Sequence, residues 1–442
     1  MRQTQCFKEF VRYVSLNMLG MLGLSCYILA DTFFVAGGLG AAGLAALNLA
    51  IPIYSFIHGS GLMLGMGGAT RYSILRSQGK EEEGNQAFTR TFWMVFGFAV
   101  IFFVTGLFLS EYLALLLGAK GEILEMCKTY LKVLLLFAPV FLLNELLLSF
   151  VRNDGSPQLP MMAMVGGSFS NILLDYIFIF PCKMGIFGAV FATGLAPVIS
   201  LIILSPYFFQ KKQGFHLRKT SFSVSESRYI LAGGLPSLVT ELSSGIVMII
   251  FNGIILGIEG NIGVAAYGVI ANLSLVVLAL YTGIAQGIQP LLSKYYGKKE
   301  GWKIQRIFWY AIFTAVGLSL FIYLTVFFRA DNMVSAFNGE ENQRLQEIAV
   351  WGMKLYFTGC VFAGINIILS AYFTSTDAAG PAGMISVLRG FLVIIPVSFL
   401  LAALWEITGL WLTFPVTECF VTAVGLCLYR KFNYTCRCSK SS

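Results

Sequence analysis

Apolar residues run in long blocks along this chain, parted by short polar stretches. Blocks of about 20 or more apolar residues suit helices that cross a bilayer. Twelve occur, at roughly 12–36, 43–70, 88–110, 127–150, 158–180, 185–209, 227–256, 262–292, 304–328, 347–373, 381–403 and 408–429. No ten-residue alternation of apolar and polar positions recurs, so the blocks read as helices and not as barrel strands. The longest polar gap lies near 210–228 and separates six blocks from six. The pattern predicts an all-α membrane protein of twelve transmembrane helices in two six-helix lobes. Residues 1–209 form the N-terminal lobe, 210–226 a cytoplasmic linker, and 227–442 the C-terminal lobe with a short cytoplasmic tail.

Composition removes the soluble alternatives. Hydrophobic residues make up 57% of the chain and charged residues 12%, where a soluble domain carries about 25% charged. Too few polar side chains exist to cover a surface in water, so lipid must solvate most of the chain. The net charge of +8 points away from nucleic acid, because the basic residues sit between apolar blocks as they do in membrane loops. Lys and Arg gather in the N-terminal arm, in the segments after spans two, six and eight, and in the tail, while the alternate loops hold few. That asymmetry places both termini in the cytoplasm. The nine cysteines form no zinc pair-of-pairs, and Cys436-Arg437-Cys438 reads as reduced thiols in a solvated tail. The basic N-terminus mimics a signal peptide, but its apolar run reads as an uncleaved first helix. No Walker, HExxH or Gly-x-Ser-x-Gly element is present. An enzyme, a cofactor and ATP-driven pumping are therefore not expected.

The halves match when offset by about 220 residues. Gly43-Leu-Ala-Ala falls on Gly263-Val-Ala-Ala, and Gly79-Lys80 on Gly297-Lys298. Lys132 and Asn144 fall on Lys354 and Asn366, Asp154 and Pro157 near Asp377 and Pro381, and Gly185-Ile-Phe on Gly409-Leu-Trp. Six spans per half is an even number, so the repeat is parallel. Such repeats build secondary transporters that rock about a site between the lobes.

Charges near the bilayer centre cost at least about 2.5–3.5 kcal/mol, which makes acids there functional candidates. Five lie within spans: Asp31, Glu145, Asp175, Glu241 and Glu418. Asn171 and Asp175 share a helix face, and Thr193 adds a hydroxyl. With Asp31 these oxygens suit a cage for a hard cation such as sodium. A carboxylate pair that carries a proton fits as well, as do hydrogen bonds to helix ends. The second half holds no counterpart to this pair, near Phe251, Asn252 and Phe399, which assigns ion coupling to the N-terminal lobe. Ser237, Glu241, Ser244, Met248 and Asn252 form a polar stripe on span seven, directed at a central cavity. Tyr281, Gln286 and Gln289 in span eight, and Asn48, Tyr54 and His58 in span two, are further cavity candidates. His58 titrates near neutral pH when unperturbed, although a satisfied buried histidine fits it equally. Glu145 and Glu418 read as structurally paired or snorkelling.

Four segments carry a family resemblance: ADTFFVAGGLGAAGLAALNLAIPIY (30–54), FVRNDGSPQLPMMAMVGGSFSNILLDYIFIF (150–180), GLPSLVTELSSG (234–245) and GIAQGIQPLLSKYYGKK (283–299). They resemble the multidrug and toxic compound extrusion (MATE) family, and within it the bacterial DinF/MepA-like branch. The resemblance implies a monomeric antiporter of the bacterial cytoplasmic membrane. It would export small organic cations in exchange for protons or sodium ions and need no cofactor. The family's N-lobe cation site falls here on Asp31, Asn171, Asp175 and Thr193, all filled. An acid that another branch places in the middle of span ten is missing from Ala371-Tyr-Phe-Thr-Ser-Thr376. A flippase of lipid-linked precursors from the same superfamily is the rival reading. Its anionic cargo calls for a basic cavity, and here acids outnumber bases within the spans.

Overall fold

A computed structural model of the chain describes residues 2–209, 214–221, 223–338 and 342–438. The side chains of the Cys436-Arg437-Cys438 tail lie outside the described set. The described residues form helices and no strand. In chain order these are α1 (Arg2–Ser77), α2 (Glu81–Phe108), α3 (Ser110–Leu116), α4 (Glu122–Asn153), α5 (Gln158–Ile179), α6 (Gly185–Leu204) and α7 (Pro206–Phe209). There follow α8 (Val224–Gly297), α9 (Gly301–Ser335), α10 (Gln343–Tyr356), α11 (Cys360–Ser375), α12 (Ala379–Val387) and α13 (Ile394–Cys438). A 3-10 turn over Phe357–Gly359 joins α10 to α11, and a π-helical turn over Leu388–Leu392 joins α12 towards α13. Among the described residues, nine helices are long and apolar enough to cross a membrane. The chain is an integral membrane protein.

Three of the long helices reverse inside. α1 breaks at Gly40 (φ 65, ψ −159) and α8 at Gly260 (φ 64, ψ −153). α13 breaks at Trp405 and Glu406, the latter with φ 49. The left-handed region costs most residues about 1–2 kcal/mol and glycine nothing. Gly40 and Gly260 thus turn the chain without strain.

Four pairs of positive-φ residues lie about 220 positions apart, and Lys183, Gly118 and Gly121 stand outside them. Gly40 pairs with Gly260, Gly79 with Lys299, Gly155 with Asp377, and Gly185 with Glu406. The residue matches proposed from sequence put Gly79 on Gly297 and Gly185 on Gly409. The backbone puts these turns at Lys299 and Glu406 instead. Residue identity misleads here because the later turns are made without glycine.

Two buried apolar cores exist. One is built from residues between Val35 and Phe215. The other centres on α8 to α13 and also takes Cys6, Phe10 and Val14 from the start of α1. The first turns of α1 therefore pack with the second half, although the sequence assigns them to the first lobe. The segment after α7 is fastened to the first half. Asp154 accepts hydrogen bonds from Tyr72 and Gly214 (both 2.7 Å) and from Tyr207, and pairs with Arg76. Asn85 accepts from the His216 N–H and Thr89 from the Arg218 N–H, both at 2.9 Å. Phe215 is buried among the rings of Tyr72, Phe88, Phe150 and Tyr207.

Candidate ion site and the interface between the halves

Asp31 lies on the first segment of α1, and Asn171 and Asp175 lie one turn apart on α5. All three are buried, as is Thr193 on α6. α5 and α6 pack along their lengths because small residues line the contact. A Cβ on Gly167 would sit 3.0 Å from the Ala196 carbonyl oxygen, and small residues allow such approaches between membrane helices. With its amide turned to satisfy both neighbours, Asn171 donates to Asp175 Oδ2 (3.0 Å) and accepts from the Thr193 N–H (3.2 Å). Thr193 Oγ1 donates to the Ala189 carbonyl at 3.1 Å. Tyr130 of α4 lies within hydrogen-bond reach of Thr193 and within the field of both aspartates. Nothing in the spacing singles it out, because a tyrosine in an apolar helix is ordinary.

Asp31 and Asp175 act on each other electrostatically. One oxygen of each, Oδ1, is buried without a hydrogen-bond partner. Among the described residues no cationic side chain acts on either group. Two buried carboxylates without a counter-charge are costly unless they bind a proton or a cation. The donor set is carboxylate, amide and hydroxyl oxygen, which suits a hard monovalent ion. No group of three or more His, Cys, Asp or Glu suited to a metal ion exists among the described residues.

The cavity candidates disperse. Tyr54 and His58 line a cavity of ≈ 50 Å³ enclosed by α1, α4, α5 and α6. Tyr54 hydrogen-bonds Tyr27 (2.7 Å) and stacks on His58. Asn48 is exposed on α1, and Ser244 is exposed on α8, donating to its own helix at Thr240. Met248 packs against the second core. Glu241 is half-buried, and its Cβ would lie 3.0 Å from a Cβ on Gly59, at the meeting of α8 and α1. Tyr281 is fully buried and bonds Ser319 at 2.6 Å, so it belongs to the second core. Glu418 is held by Arg389 (2.7 Å) and Asn366 (2.6 Å) deep in the second half, as the structural-pairing reading expects.

Gln286 and Gln289 sit where the halves meet. Arg152 donates to Gln286 at 2.7 Å, and Gln289 donates to Thr70 at 2.7 Å and exchanges bonds with Asn153. Arg71 holds Glu226 with two bonds, and Tyr295 donates to Glu9. Between these polar contacts the backbones almost touch. A Cβ on Gly67, Gly234, Gly283, Gly287 or Gly297 would come within 3 Å of the opposite half. All five lie toward the end of the bundle where α1 begins and α8 ends, so the halves are sealed there. Arg152 lies in the last turn of α4. Its role needs a partner 134 positions away, which spacing cannot reveal.

A bundle of long apolar helices, with paired carboxylates and a polar seam held inside it, defines a membrane transport protein. The MatE family model matches residues 17–177 and 236–400, and the chain belongs to this family, the multidrug and toxic compound extrusion transporters. Members of the family are transporters and not enzymes. The chain is similar to the multidrug export protein MepA of Staphylococcus saprophyticus, 27% identical over 92% of this chain and 90% of that protein. It is 26% identical to MepA of Staphylococcus aureus, over 91% and 89% of the two chains. Its fold matches an outward-facing multidrug resistance MATE transporter of the MOP superfamily with a TM-score of 0.90. That match is 24% identical and covers 96% of this chain and 95% of the other.

Proposed function

We propose that the chain is a secondary antiporter that exports small organic cations in exchange for protons or sodium ions by alternating access. The carrying observation is the pair Asp31 and Asp175, buried together, each with an unpartnered oxygen and without a cationic neighbour. An ion bound there supplies the missing charge. Its departure leaves two facing carboxylates, which favours a different packing of α1 on α5. Coupling needs this difference in affinity between states, because equal affinity shifts nothing. Asn171 and Thr193 are positioning residues for Asp175 and can add oxygen to a bound sodium. Glu241, beside the seam between the halves, is the charge best placed to attract a cationic cargo.

Nine long helices with breaks at Gly40, Gly260 and Glu406 support twelve spans. The two family matches and the paired left-handed residues support two parallel repeats of six. Both termini, the 210–226 linker and the sealed end of the bundle then lie on one side, assigned to the cytoplasm by the placement of Lys and Arg. The molecule is outward-open in this reading. The export relatives support drug-like cargo, and we expect a monomer.

Ethidium efflux from reconstituted vesicles, under separately imposed sodium and proton gradients, tests the reading. Efflux driven by one gradient and abolished in both Asp31→Asn and Asp175→Asn is the expected result. Efflux that survives both substitutions returns the aspartates to a structural role. Gradient-independent behaviour of folded protein toward several organic cations moves the reading to the flippase.

A further inference from the structure

Glu145 is a further buried carboxylate, and the ion site does not use it. It lies on α4, eight residues before the end of that helix, on the wall of the ≈ 50 Å³ cavity. His58 Nδ1 stands 3.8 Å from Glu145 Oε1, and both residues are buried. The distance is too long for a direct hydrogen bond and suits a shared water. The cavity has room for about one or two waters. It is lined by polar atoms that lack partners: Asn144 Oδ1 and Ser200 Oγ are both buried and unbonded. A dry apolar void has no use for such a lining, so water or a hydrated proton belongs there.

The charges around Glu145 come from three helices. His58 faces it from α1, Arg152 from its own helix and Glu241 from α8. The α5 and α6 walls contribute Ser168 and Ser200 and no ionisable group. Arg152 is the element that links this cluster to the seam. One end of its guanidinium donates to Gln286 of the other half, and its Nε is buried without a partner.

We propose that His58, Glu145 and the cavity between them form a second proton-binding site, distinct from Asp31 and Asp175, and that Arg152 reports its occupancy to the contact between the halves. A proton on His58 forms an ion pair with Glu145 and leaves Arg152 committed to Gln286, which keeps this end closed. Loss of that proton leaves Arg152 as the remaining cationic partner of Glu145. The guanidinium is then drawn back along α4 and the Gln286 bond weakens. Closure at this end is favoured while the proton is bound and is lost when it leaves. His58 and Glu145 do not neighbour the ion-site residues in sequence; between the two sites stand Tyr54, stacked on His58, and its hydrogen-bond partner Tyr27, both within the field of Asp31. What the proton does rests on the transport reading; that a proton binds does not.

The chain has two histidines, so His216→Gln leaves His58 as the only one. The full chain in lipid nanodiscs, labelled with ¹³C at histidine Cε1, is titrated from about pH 5 to 9 by NMR. The expected result is one titration, whose midpoint falls in Glu145→Gln and moves less in Asp31→Asn. A flat signal across the range in the His216→Gln protein overturns the proposal without recourse to any further variant. So does a midpoint that ignores Glu145→Gln or moves further in Asp31→Asn than in Glu145→Gln. No cargo or gradient enters this measurement, so its failure is distinguishable from failure of the antiport reading.

Discussion

Asp154 shows how much one side chain outside the ion site can hold. Its carboxylate gathers Tyr72, Tyr207, Arg76 and the Gly214 N–H. Hydrogen bonds to a charged group contribute about 1.5–3 kcal/mol each, and removal of the acceptor strands its donors. Asp154→Ala should destabilise the protein by about 3 kcal/mol, read as a lower thermal midpoint in detergent, and Tyr72→Phe by about a third of that. At this scale the sequence was legible where chemistry is local. Asn171 and Asp175 are one turn apart, and spacing placed them on one face before any coordinates. Asp154 entered only as an alignment marker, because its partners lie up to 82 positions away. His58 with Glu145, and Arg152 with Gln286, were hidden for the same reason. Gln286 was expected beside open space and instead closes a seam, since a polar face on a helix does not say whether water or protein will meet it.

At the scale of helices, the apolar runs located the long elements but not their ends. Gly40 and Gly260 are one-residue reversals with helix on both sides, and the short gaps predicted at 36–43 and 256–262 contain them. The 3-10 turn at Phe357–Gly359 and the π-helical turn at Leu388–Leu392 leave hydropathy unbroken and were invisible. Arg389, within the π-helical turn, is the residue that grips Glu418; such turns re-aim a side chain by inserting one residue into the helix. The left-handed positions carry a test. Lys299, Asp377 and Glu406 occupy backbone that suits glycine. Lys299→Gly and Glu406→Gly should each stabilise by about 0.5–1 kcal/mol, the relief of left-handed strain less the entropy that glycine adds to the unfolded chain. Thermal midpoints that fall in both would refute that account of the turns.

For the whole molecule, the contact between halves is built from missing side chains. Gly283 and Gly287 let α8 lie against Met18 and Val14 of α1, where a Cβ would come 2.7 Å from a backbone Cα. That clash exists only while this end is closed. Overpacking of about 1–3 kcal/mol on one state moves a conformational ratio by about 5- to 150-fold. Gly287→Val should therefore open this end, seen as a longer distance between spin labels on the two halves. An unchanged distance in folded protein would mean that the seam yields locally instead. Hydropathy and the residue matches predicted two halves, and the described residues hold two buried cores. The crossing of α1 into the second core was not, because Cys6, Phe10 and Val14 look the same in either neighbourhood.

The fastening of the connector bears on how the chain is made. Asp154, Asn85, Thr89 and the aromatic seat of Phe215 all precede the second half in order of synthesis. A ribosome that has released residue 221 has released everything this fastening needs, before any helix of the second half exists. Units earlier in a chain generally fold first, so each later helix enters the bilayer beside a neighbour whose own core is complete. The start of α1 is the exception. Its core residues have no partners until α8 and α9 arrive, so the first segment translated waits for the second half to reach its final packing.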